Sequence, residues 1–494
     1  MKTGQSNTIQ AFWIGLGSIA TFTFSIVSAA ILSRWLSKSD YGTYKQVMYV
    51  YNTLLVVFTL GLPKAYSYFL PKYSVEYGNS IVNKINIVFI AIGVLFSALL
   101  FGGASIIAEL LNNPQLTTSL KLFALSPAFI LPTMGIEGIM ASYKQSHINA
   151  IYLLITRLIL LLFVIGGVCI KPDCNSAIIG FTIASILNCF IGLYIKKIPF
   201  KEIKSVKTDL TYKAIFKFSI PLMVASIGGI VIKTADQFYV SRFFGTEVFA
   251  DFSNGTIDLP FVSMVLSAAA TVLLPEFSRL LSKEKDHYTE IVTLWRDTAY
   301  KSALLLYPFI IYSIFFAKQI MVLLYGDLYT ASSIYFVIIL IVDIFTIAPY
   351  YPIIIALGAS DYYAKIHIWM SLIVWLLEFL SIHLYHSAIS IAVTSALLRI
   401  VMVLIMTNFI AQRLNVSIIE IFPLKKISVI VLVNLIAGIM VLGITNHFLC
   451  VSSLIIQLIV SFLLFGALSF ALGKLFHVDY LQSIQPILNR IFKK

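Results

Sequence analysis

The dominant feature of the sequence is a series of long apolar runs separated by short polar segments. Fourteen of these runs have about the 20 largely apolar residues that a transmembrane helix needs. The first run is longer than the apolar core of a signal peptide, which has about 7–15 residues, so we interpret it as a span. The predicted spans are residues 10–32, 43–61, 81–104, 119–140, 148–170, 177–195, 216–236, 249–274, 300–316, 331–357, 366–384, 390–410, 427–444 and 454–472.

Composition supports a chain that lies in lipid rather than in water. Of the 494 residues, 59% are hydrophobic and 12% are charged, whereas soluble domains have about 45–50% apolar and about 25% charged residues. The four cysteines have no CxxC spacing, which argues against a disulfide-rich scaffold and a cysteine zinc site. The sequence therefore predicts an all-α integral membrane protein with free thiols.

Positive charges are distributed unevenly between alternate loops. With the N-terminus placed in the cytoplasm, 25 of the 35 lysines and arginines fall on the cytoplasmic side, seven on the opposite side and three within spans. The positive-inside rule then predicts that both termini are cytoplasmic, in agreement with an even number of spans. The net charge of +13 does not indicate nucleic-acid binding, because no basic soluble module carries it.

Several short segments recur in order at equivalent span ends. The recurring segments are 33–36 (SRWL) with 241–244 (SRFF), 69–74 with 273–278, and the proline regions around Pro132 and Pro349. Repeats with an even number of spans have the same orientation in the membrane, and two such lobes around a cleft are typical of alternating-access transporters. The sequence therefore predicts two parallel, pseudo-symmetric lobes of six helices.

This repeat divides the chain into four parts. We predict a first lobe at residues 1–195, a basic cytoplasmic linker at 196–217, a second lobe at 218–412, and the last two spans with a cytoplasmic tail at 413–494. The linker has seven lysines and two acids. A solvated connector explains that composition through the positive-inside rule, and contact with anionic lipid is the alternative.

Basic residues at the ends of the first, second and seventh spans are candidates for binding an anionic head group. Arg34 and Arg242 occupy matching places in the repeat, Lys45 begins the second span, and Lys233 ends the seventh. Ionisable residues are expensive inside a membrane, so each is a functional hypothesis. The alternative is that these side chains reach the interface or pair with carboxylates, and have only structural roles.

Acidic residues within spans are candidates for coupling transport to an ion. Asp251, Asn254 and Asp258 are predicted on one face of the eighth helix, and Asp236 follows Lys233 by about one turn. Asp343 and Glu378 lie within the tenth and eleventh spans. Each acid is either an ion-coupling group or a structural partner of a nearby cation, as Glu378 would be of Arg399.

The sequence resembles the Wzx-type oligosaccharide flippases over its whole length. The resemblance rests on SRWL with DYGTY at 33–44, LGLP at 60–63, FSIPL at 218–222 and KTADQF at 233–238. These flippases share a superfamily with multidrug-and-toxin exporters and lipid II flippases. The resemblance implies the multidrug-exporter (MATE-like) fold, a location in the bacterial inner membrane, and transport of polyprenyl-pyrophosphate-linked oligosaccharide for surface polysaccharide assembly.

The resemblance also implies roles and partners. Arg34, Lys45, Lys233 and Arg242 would hold the pyrophosphate. Lipid II flippases have a sodium site among helices 7, 11 and 12, and the residues on those helices here are Asp236, Glu378 and Thr394; a proton is equally open as the coupling ion. Membrane lipid and a polysaccharide polymerase are the other expected partners.

Four functional hypotheses follow, and none requires enzyme activity or a metal. The first is the oligosaccharide flippase, and its alternatives are a cation-coupled multidrug exporter of the same fold or a lipid II flippase. A membrane scaffold without transport activity comes last. The sequence contains no P-loop, no GxGxxG and no Ser/His/Asp constellation, so we expect no nucleotide hydrolysis and no cofactor other than H⁺ or Na⁺.

Overall fold

Helices make up all the regular structure in the described part of the chain, as expected where lipid cannot satisfy backbone hydrogen bonds. The computed structural model describes residues 7–281, 288–448 and 453–480. The helices are α1 Asn7–Trp35, α2 Lys38–Phe58, α3 Pro63–Phe69, α4 Val75–Leu110, α5 Gln115–Phe123, α6 Ser126–Ile130, α7 Ile136–Ser142, α8 Ser146–Ile170, α9 Cys174–Lys197, α10 Tyr212–Gly255, α11 Pro260–Leu281, α12 Tyr288–Phe315, α13 Ala317–Tyr325, α14 Ser332–Phe345, α15 Tyr351–Ala356, α16 Ser360–Tyr385, α17 Ala388–Arg413, α18 Leu424–Phe448 and α19 Leu454–Leu475.

The helices have the length and surface of membrane spans. Among the described residues, 13 helices are long and apolar enough to cross a bilayer. Large apolar side chains are exposed on them, including Phe12 at 64% and Leu384 at 72%. The prediction of a multi-pass, all-helical membrane protein is therefore confirmed. The predicted tenth span is divided between α14 and α15, so the count of fourteen stays a prediction, as do the cytoplasmic termini.

The predicted fourth and tenth spans are both interrupted. The fourth consists of α5, α6 and α7, with a left-handed Gly135 before α7. A Cβ at Gly135 would overlap the ring of Tyr66, so the position requires glycine for two reasons. The tenth is non-helical over residues 346–350, and the Tyr307 hydroxyl donates to the Ile344 carbonyl at 2.9 Å. Irregular backbone inside a membrane protein needs such internal partners.

The internal repeat is visible in the secondary structure. Helices α8 and α16 begin 214 residues apart, at Ser146 and Ser360, and α9 and α17 begin at the same offset. Each of α8 and α16 is also preceded by a residue with a left-handed backbone, Lys144 and Gly358, and these two residues are 214 residues apart as well. Helix starts and turn geometry thus follow one period in both halves, which supports the predicted duplication.

The chain divides into two compact units between Ala250 and Asp251. In the first unit, α8 packs between α1 and α9, and the core around α4 contains stacked aromatic rings such as Phe58 on Phe96 at 4.3 Å. In the second unit, α12 packs on α14 and α18, and α16 packs on α17. The predicted lobe boundaries at residues 195 and 218 are based on the number of spans, whereas the two units are defined by packing. The boundaries therefore stay predictions.

The last two helices pack closely within the second unit. The Tyr312 hydroxyl on α12 contacts the Leu458 carbonyl and the Ser461 hydroxyl of α19, both at 2.9 Å. A Cβ at Gly438 of α18 would overlap the ring of Phe315. Helices α18 and α19 are therefore part of the core of this unit.

Candidate functional site

The candidate basic residues lie on or beside α2 and α10, which contact each other inside the first unit. Helix α10 contains two helical stretches separated at Gly245, whose backbone is non-helical with φ +79°. This glycine marks the turn between the predicted seventh and eighth spans. The stretch before Gly245 runs antiparallel to α2, because Gln46 contacts Ser241 whereas Tyr49 contacts Thr234.

At one end, the two helices approach to backbone contact. A Cβ on Gly42 would overlap the carbonyl oxygen of Thr246, so only glycine fits there without displacement. The hydroxyls of Ser39 and Thr246 lie 3.1 Å apart. The start of α2 is therefore fixed against the residues that follow Gly245.

A buried polar network lies next to this close approach. The Gln46 amide donates to the Ser241 hydroxyl at 2.7 Å. The Asn113 amide, just beyond the end of α4, donates to the Gln46 carbonyl oxygen at 2.6 Å and to the Thr43 hydroxyl at 3.0 Å. Buried polar groups without partners are costly, so this network specifies the register of α2, α10 and the end of α4.

Two of the four predicted basic residues flank this network. Lys45 is half-buried, with its ammonium 5.3 Å from the centre of the Tyr41 ring. It makes no ion pair or hydrogen bond with any residue that the structure describes. The Arg242 guanidinium donates to the Leu110 carbonyl at 2.7 Å, where the negative end of the α4 dipole favours a cation.

The other two predicted basic residues are exposed. Arg34 donates to the Ala30 carbonyl of its own helix at 2.8 Å. Lys233 lies on the exposed side of α10. The structure therefore places Lys45 and Arg242 beside one network, and Arg34 and Lys233 outside it.

Farther toward its start, α10 contacts the turn after α2 and helix α3, and this end of the contact is aromatic. A Cβ on Gly61 would lie 2.6 Å from the Ser219 carbonyl oxygen, so the backbones are close here as well. The rings of Tyr68 and Phe218 stack with centroids 4.0 Å apart, and Phe69 meets Phe218 at 5.6 Å.

A cavity of about 260 Å³ lies beside the polar end of the contact. It reaches the surface at exposed Gln115 and Thr118. Its lining residues are Asp40, Thr43, Gln115, Thr118, Ser119, Asp173, Cys174 and Asn175. Because Thr43 also belongs to the buried network, the cavity lies next to that network.

The ion-coupling candidates are distributed over both units. In the first, Asp236 is 2% exposed and accepts the Gln237 backbone N–H at 2.7 Å. In the second unit, buried Glu378 lies on α16, Thr394 on α17 and Asp343 on α14. Helix α17 packs on both α16 and α14. The last three candidates therefore lie on consecutive packed helices.

The prediction that Asp258 lies on the polar face of the eighth helix is wrong. Helix α10 ends at Gly255, and Asp258 is exposed in the non-helical segment 256–259. The residue before a proline is disfavoured in the helical conformation, which explains the break before Pro260. Asp251 is buried and accepts a hydrogen bond from the Ser332 hydroxyl at 3.2 Å.

Sequence reasoning also misplaced Lys196, which we had assigned to the solvated linker. It is 1% exposed in the last turn of α9. Its ammonium donates to Asn86 at 3.1 Å and to the Tyr66 hydroxyl at 3.2 Å, and lies 5.3 Å from the centre of the Phe89 ring. The helical spacing of residues on α9 could have indicated this burial, because Lys196 shares a helix face with buried Cys189 and Gly192.

The predicted free thiols agree with the structure where it describes them. Cys169, Cys174 and Cys189 are free, and Cys174 lies 3.7 Å from the Ser119 hydroxyl. Cys450 lies outside the described residues.

Sequence and structure comparisons agree on the class of protein. A family model described as polysaccharide biosynthesis protein matches residues 9–281, which include α1 to α11. No curated protein sequence matches the chain.

Solved structures share the fold at low sequence identity. A lipid II flippase, MurJ, in an inward closed conformation is 16% identical with a TM-score of 0.69, over 93% of this chain and 99% of that one. The Vibrio cholerae MATE transporter VcmN in its bent form is 15% identical with a TM-score of 0.55, over 83% and 96%. An inward-facing multidrug resistance MATE transporter of the MOP superfamily is 11% identical with a TM-score of 0.64, over 80% and 94%.

Proposed function

The chain belongs to the polysaccharide biosynthesis protein family, and on this premise we propose that it moves a polyprenyl-pyrophosphate-linked oligosaccharide across the membrane by alternating access. It is a multi-pass membrane protein with the fold of MurJ and the MATE transporters. The proposed direction is from the cytoplasmic to the outer leaflet of a bacterial inner membrane. The product would supply surface polysaccharide assembly.

The observation that carries this proposal is the environment of Lys45. It is half-buried within the second span, and its neighbour along the helix anchors the buried network. No carboxylate among the described residues neutralises it. A cation kept inside a span without a fixed counter-ion can accept a phosphate group, which makes short charge-assisted hydrogen bonds with ammonium groups.

The remaining basic residues have different roles in this proposal. Arg242 is committed to the Leu110 carbonyl, so it fixes the end of α4 and adds positive potential beside Lys45. Exposed Arg34 and Lys233 would meet the head group before or after it occupies the site of Lys45. The polyprenyl tail would stay in lipid, against the exposed apolar side chains of the spans.

A reconstituted transport assay tests the proposal. The protein is placed in vesicles with a fluorescent polyprenyl-pyrophosphate oligosaccharide, and the fraction that becomes accessible on the opposite leaflet is measured. We expect Lys45→Gln to reduce the initial rate by about ten-fold, because a charge-assisted hydrogen bond is worth about 1.5–3 kcal/mol, and Lys45→Arg to retain most of it. Wild-type vesicles that leave the substrate on one leaflet would exclude this function.

Lys121 provides the matched control. Its ammonium lies 5.7 Å from the Phe101 ring, as that of Lys45 lies 5.3 Å from Tyr41, but Lys121 is exposed away from the network. Lys121→Gln removes the same charge and a similar ring contact, and we expect it to transport at the wild-type rate. An equal loss in both variants would mean that net charge, and not the position of Lys45, controls transport.

A second candidate function is cation-coupled drug export, and the buried carboxylates favour it. Asp236 and Glu378 are 2% and 0% exposed, and an acid inside a membrane protein can exchange H⁺ or Na⁺ during transport. Drug efflux from cells that is lost in Glu378→Gln, with no transport of lipid-linked substrate, would establish this alternative. Offering lipid II in the same vesicle assay separates the lipid II flippase from both.

A further inference from the structure

The linker between α9 and α10 is held against α4 by hydrogen bonds. The Val206 backbone N–H donates to the Glu76 carbonyl at 3.0 Å, and the Thr208 N–H donates to the Ser80 hydroxyl at 3.1 Å. The Lys84 ammonium donates to the carbonyl of Leu210, which is 3% exposed. We call residues 197–217 the basic strap, and these hydrogen bonds hold its central residues 206–210 against the first turns of α4.

Six lysines project from the basic strap. All six are exposed, and none makes an ion pair or hydrogen bond with any residue in the described ranges. They are Lys197, Lys201, Lys204, Lys207, Lys213 and Lys217. Their positive charge is therefore available to an external anion.

The two acids of the basic strap do not cancel this charge. Asp209 accepts a hydrogen bond from the Tyr73 hydroxyl in the loop before α4. Burial, followed by the charge of Asp209, raises the pKa of Tyr73, so its hydroxyl stays a donor. Asp209 and Glu202 together supply two negative charges against six lysines, so the exposed side of the basic strap keeps a net positive charge.

The basic strap also lies at the level of the membrane surface, because it joins the end of one span to the start of the next. Tyr212, where α10 begins, is 42% exposed, and its ring lies 5.2 Å from the Lys84 ammonium. Tyrosine is typical of the interface between hydrocarbon and water.

We propose that the basic strap docks on the anionic phospholipid headgroups of the leaflet on its own side of the membrane. Six exposed lysines on the connection between two spans match a plane of phosphates in charge. A hydrogen-bonded backbone keeps the lysines ordered, so little conformational entropy is lost on docking. This site is separate from Lys45, and the proposal does not depend on what the protein transports.

Lipid selectivity in nanodiscs tests the proposal. Purified full-length protein is reconstituted in phosphatidylcholine with a minor fraction of phosphatidylglycerol, and the preference of each spin-labelled lipid for the protein surface is measured. We expect wild type to prefer phosphatidylglycerol. Each lysine near an anionic surface contributes roughly a five-fold preference, so Lys204→Gln with Lys207→Gln should reduce the preference by about 25-fold.

A matched double variant separates position from net charge. Lys121→Gln with Lys318→Gln removes two exposed lysines predicted to face the opposite side of the membrane, and we expect it to keep the wild-type preference. Thermal unfolding in pure phosphatidylcholine confirms that both variants are folded. Equal losses in the two variants, or no preference in wild type, would overturn the proposal.

Inorganic pyrophosphate distinguishes a lipid surface from a soluble phosphate ligand. We expect added pyrophosphate to leave most of the phosphatidylglycerol preference intact, because a surface contacts several lysines at once. Complete loss of the preference, at an ionic strength matched with chloride, would show that the lysines form a small-anion site and would overturn the docking proposal.

Discussion

The contact that α10 makes with α2 and α3 has opposite chemistry at its two ends. The polar end consists of a glycine approach at Gly42 and the hydrogen bonds of Gln46, whereas the aromatic end consists of rings stacked on Phe218. A hydrogen bond has one good geometry, and its net contribution is about 0.5–1.5 kcal/mol because water can replace it. Stacked rings tolerate sliding, but their separation exposes apolar surface.

This difference suggests different behaviour during transport. The polar end lies beside a cavity that reaches the surface, so water is available for each hydrogen bond that breaks there. We therefore expect the polar end to open fully and to close in one register. The aromatic end is expected to adjust by sliding of Tyr68 and Phe69 over Phe218.

Locking the polar end should give the largest effect. The hydroxyls of Ser39 and Thr246 are 3.1 Å apart, so cysteines at these positions can form a disulfide once the four native cysteines are replaced. We expect oxidation of Ser39→Cys with Thr246→Cys to abolish transport in the vesicle assay, and reduction to restore it. Each single cysteine variant is the control, and wild-type transport by the cross-linked protein would show that this end stays closed.

A side chain at Gly42 should have the next largest effect. Gly42→Val places a branched side chain into the Thr246 backbone, and overpacking of this kind costs about 1–3 kcal/mol. We expect a lower thermal unfolding temperature and a lower yield of the disulfide between positions 39 and 246. Gly102→Val is the control, because a Cβ there has no neighbour within 4 Å; equal destabilisation would show that the contact is not tight.

Replacement of one residue at each end compares the two directly. Gln46→Leu keeps the volume but removes the buried hydrogen bonds of Gln46 with the Asn113 and Ser241 side chains, which should destabilise the protein by about 1–3 kcal/mol. Phe218→Leu removes the stacking but keeps apolar packing, with an expected loss of about 0.5–1.5 kcal/mol. Thermal unfolding of both variants provides the ranking, and the reverse order would contradict the specificity that we assign to the polar end.

Local sequence features predicted much of the fold. Apolar runs located the spans, and the prolines near residues 132 and 349 marked the two spans that are interrupted in the structure. These features work because the backbone geometry of a helix depends on its own residues and on the lipid around it. The family model, which matches residues 9–281, confirms the predicted class of protein.

The candidate site was less predictable because its contacts are far apart in sequence. Gly42 requires glycine only because Thr246, about 200 residues later, lies against it. Asp258 was placed on a helix because charge spacing was read without the effect of Pro260 on the preceding backbone. Lys196 was assigned to solvent because of its residue type, although its face of α9 is buried. Each error concerns a tertiary neighbour or a helix boundary.

The prediction with the smallest expected effect also compares the two ends. It concerns carboxylates that accept backbone hydrogen bonds beside the polar end. Asp40 of α2 accepts the Cys174 backbone N–H at 3.3 Å, and Asp173 caps the same helix through the Ser176 N–H at 2.8 Å. Partial burial opposes ionisation of Asp173. The hydrogen bonds from Lys171 and Ser176 outweigh it and lower the pKa of this carboxyl.

A carboxyl with a lowered pKa in the folded state stabilises the protein above its unfolded pKa, and this contribution is lost as the pH falls through the folded value. Asp173→Asn retains the capping geometry and removes the charge opposite Lys171, so we expect a loss of about 0.5 kcal/mol at neutral pH. Thermal unfolding should show a constant difference from wild type between about pH 7 and pH 5 that disappears below the ordinary value of 3.8. Phe218→Leu, which has no carboxyl partner, should keep its difference at every pH; a parallel pH response in both variants would mean that the carboxylates do not brace the polar end specifically.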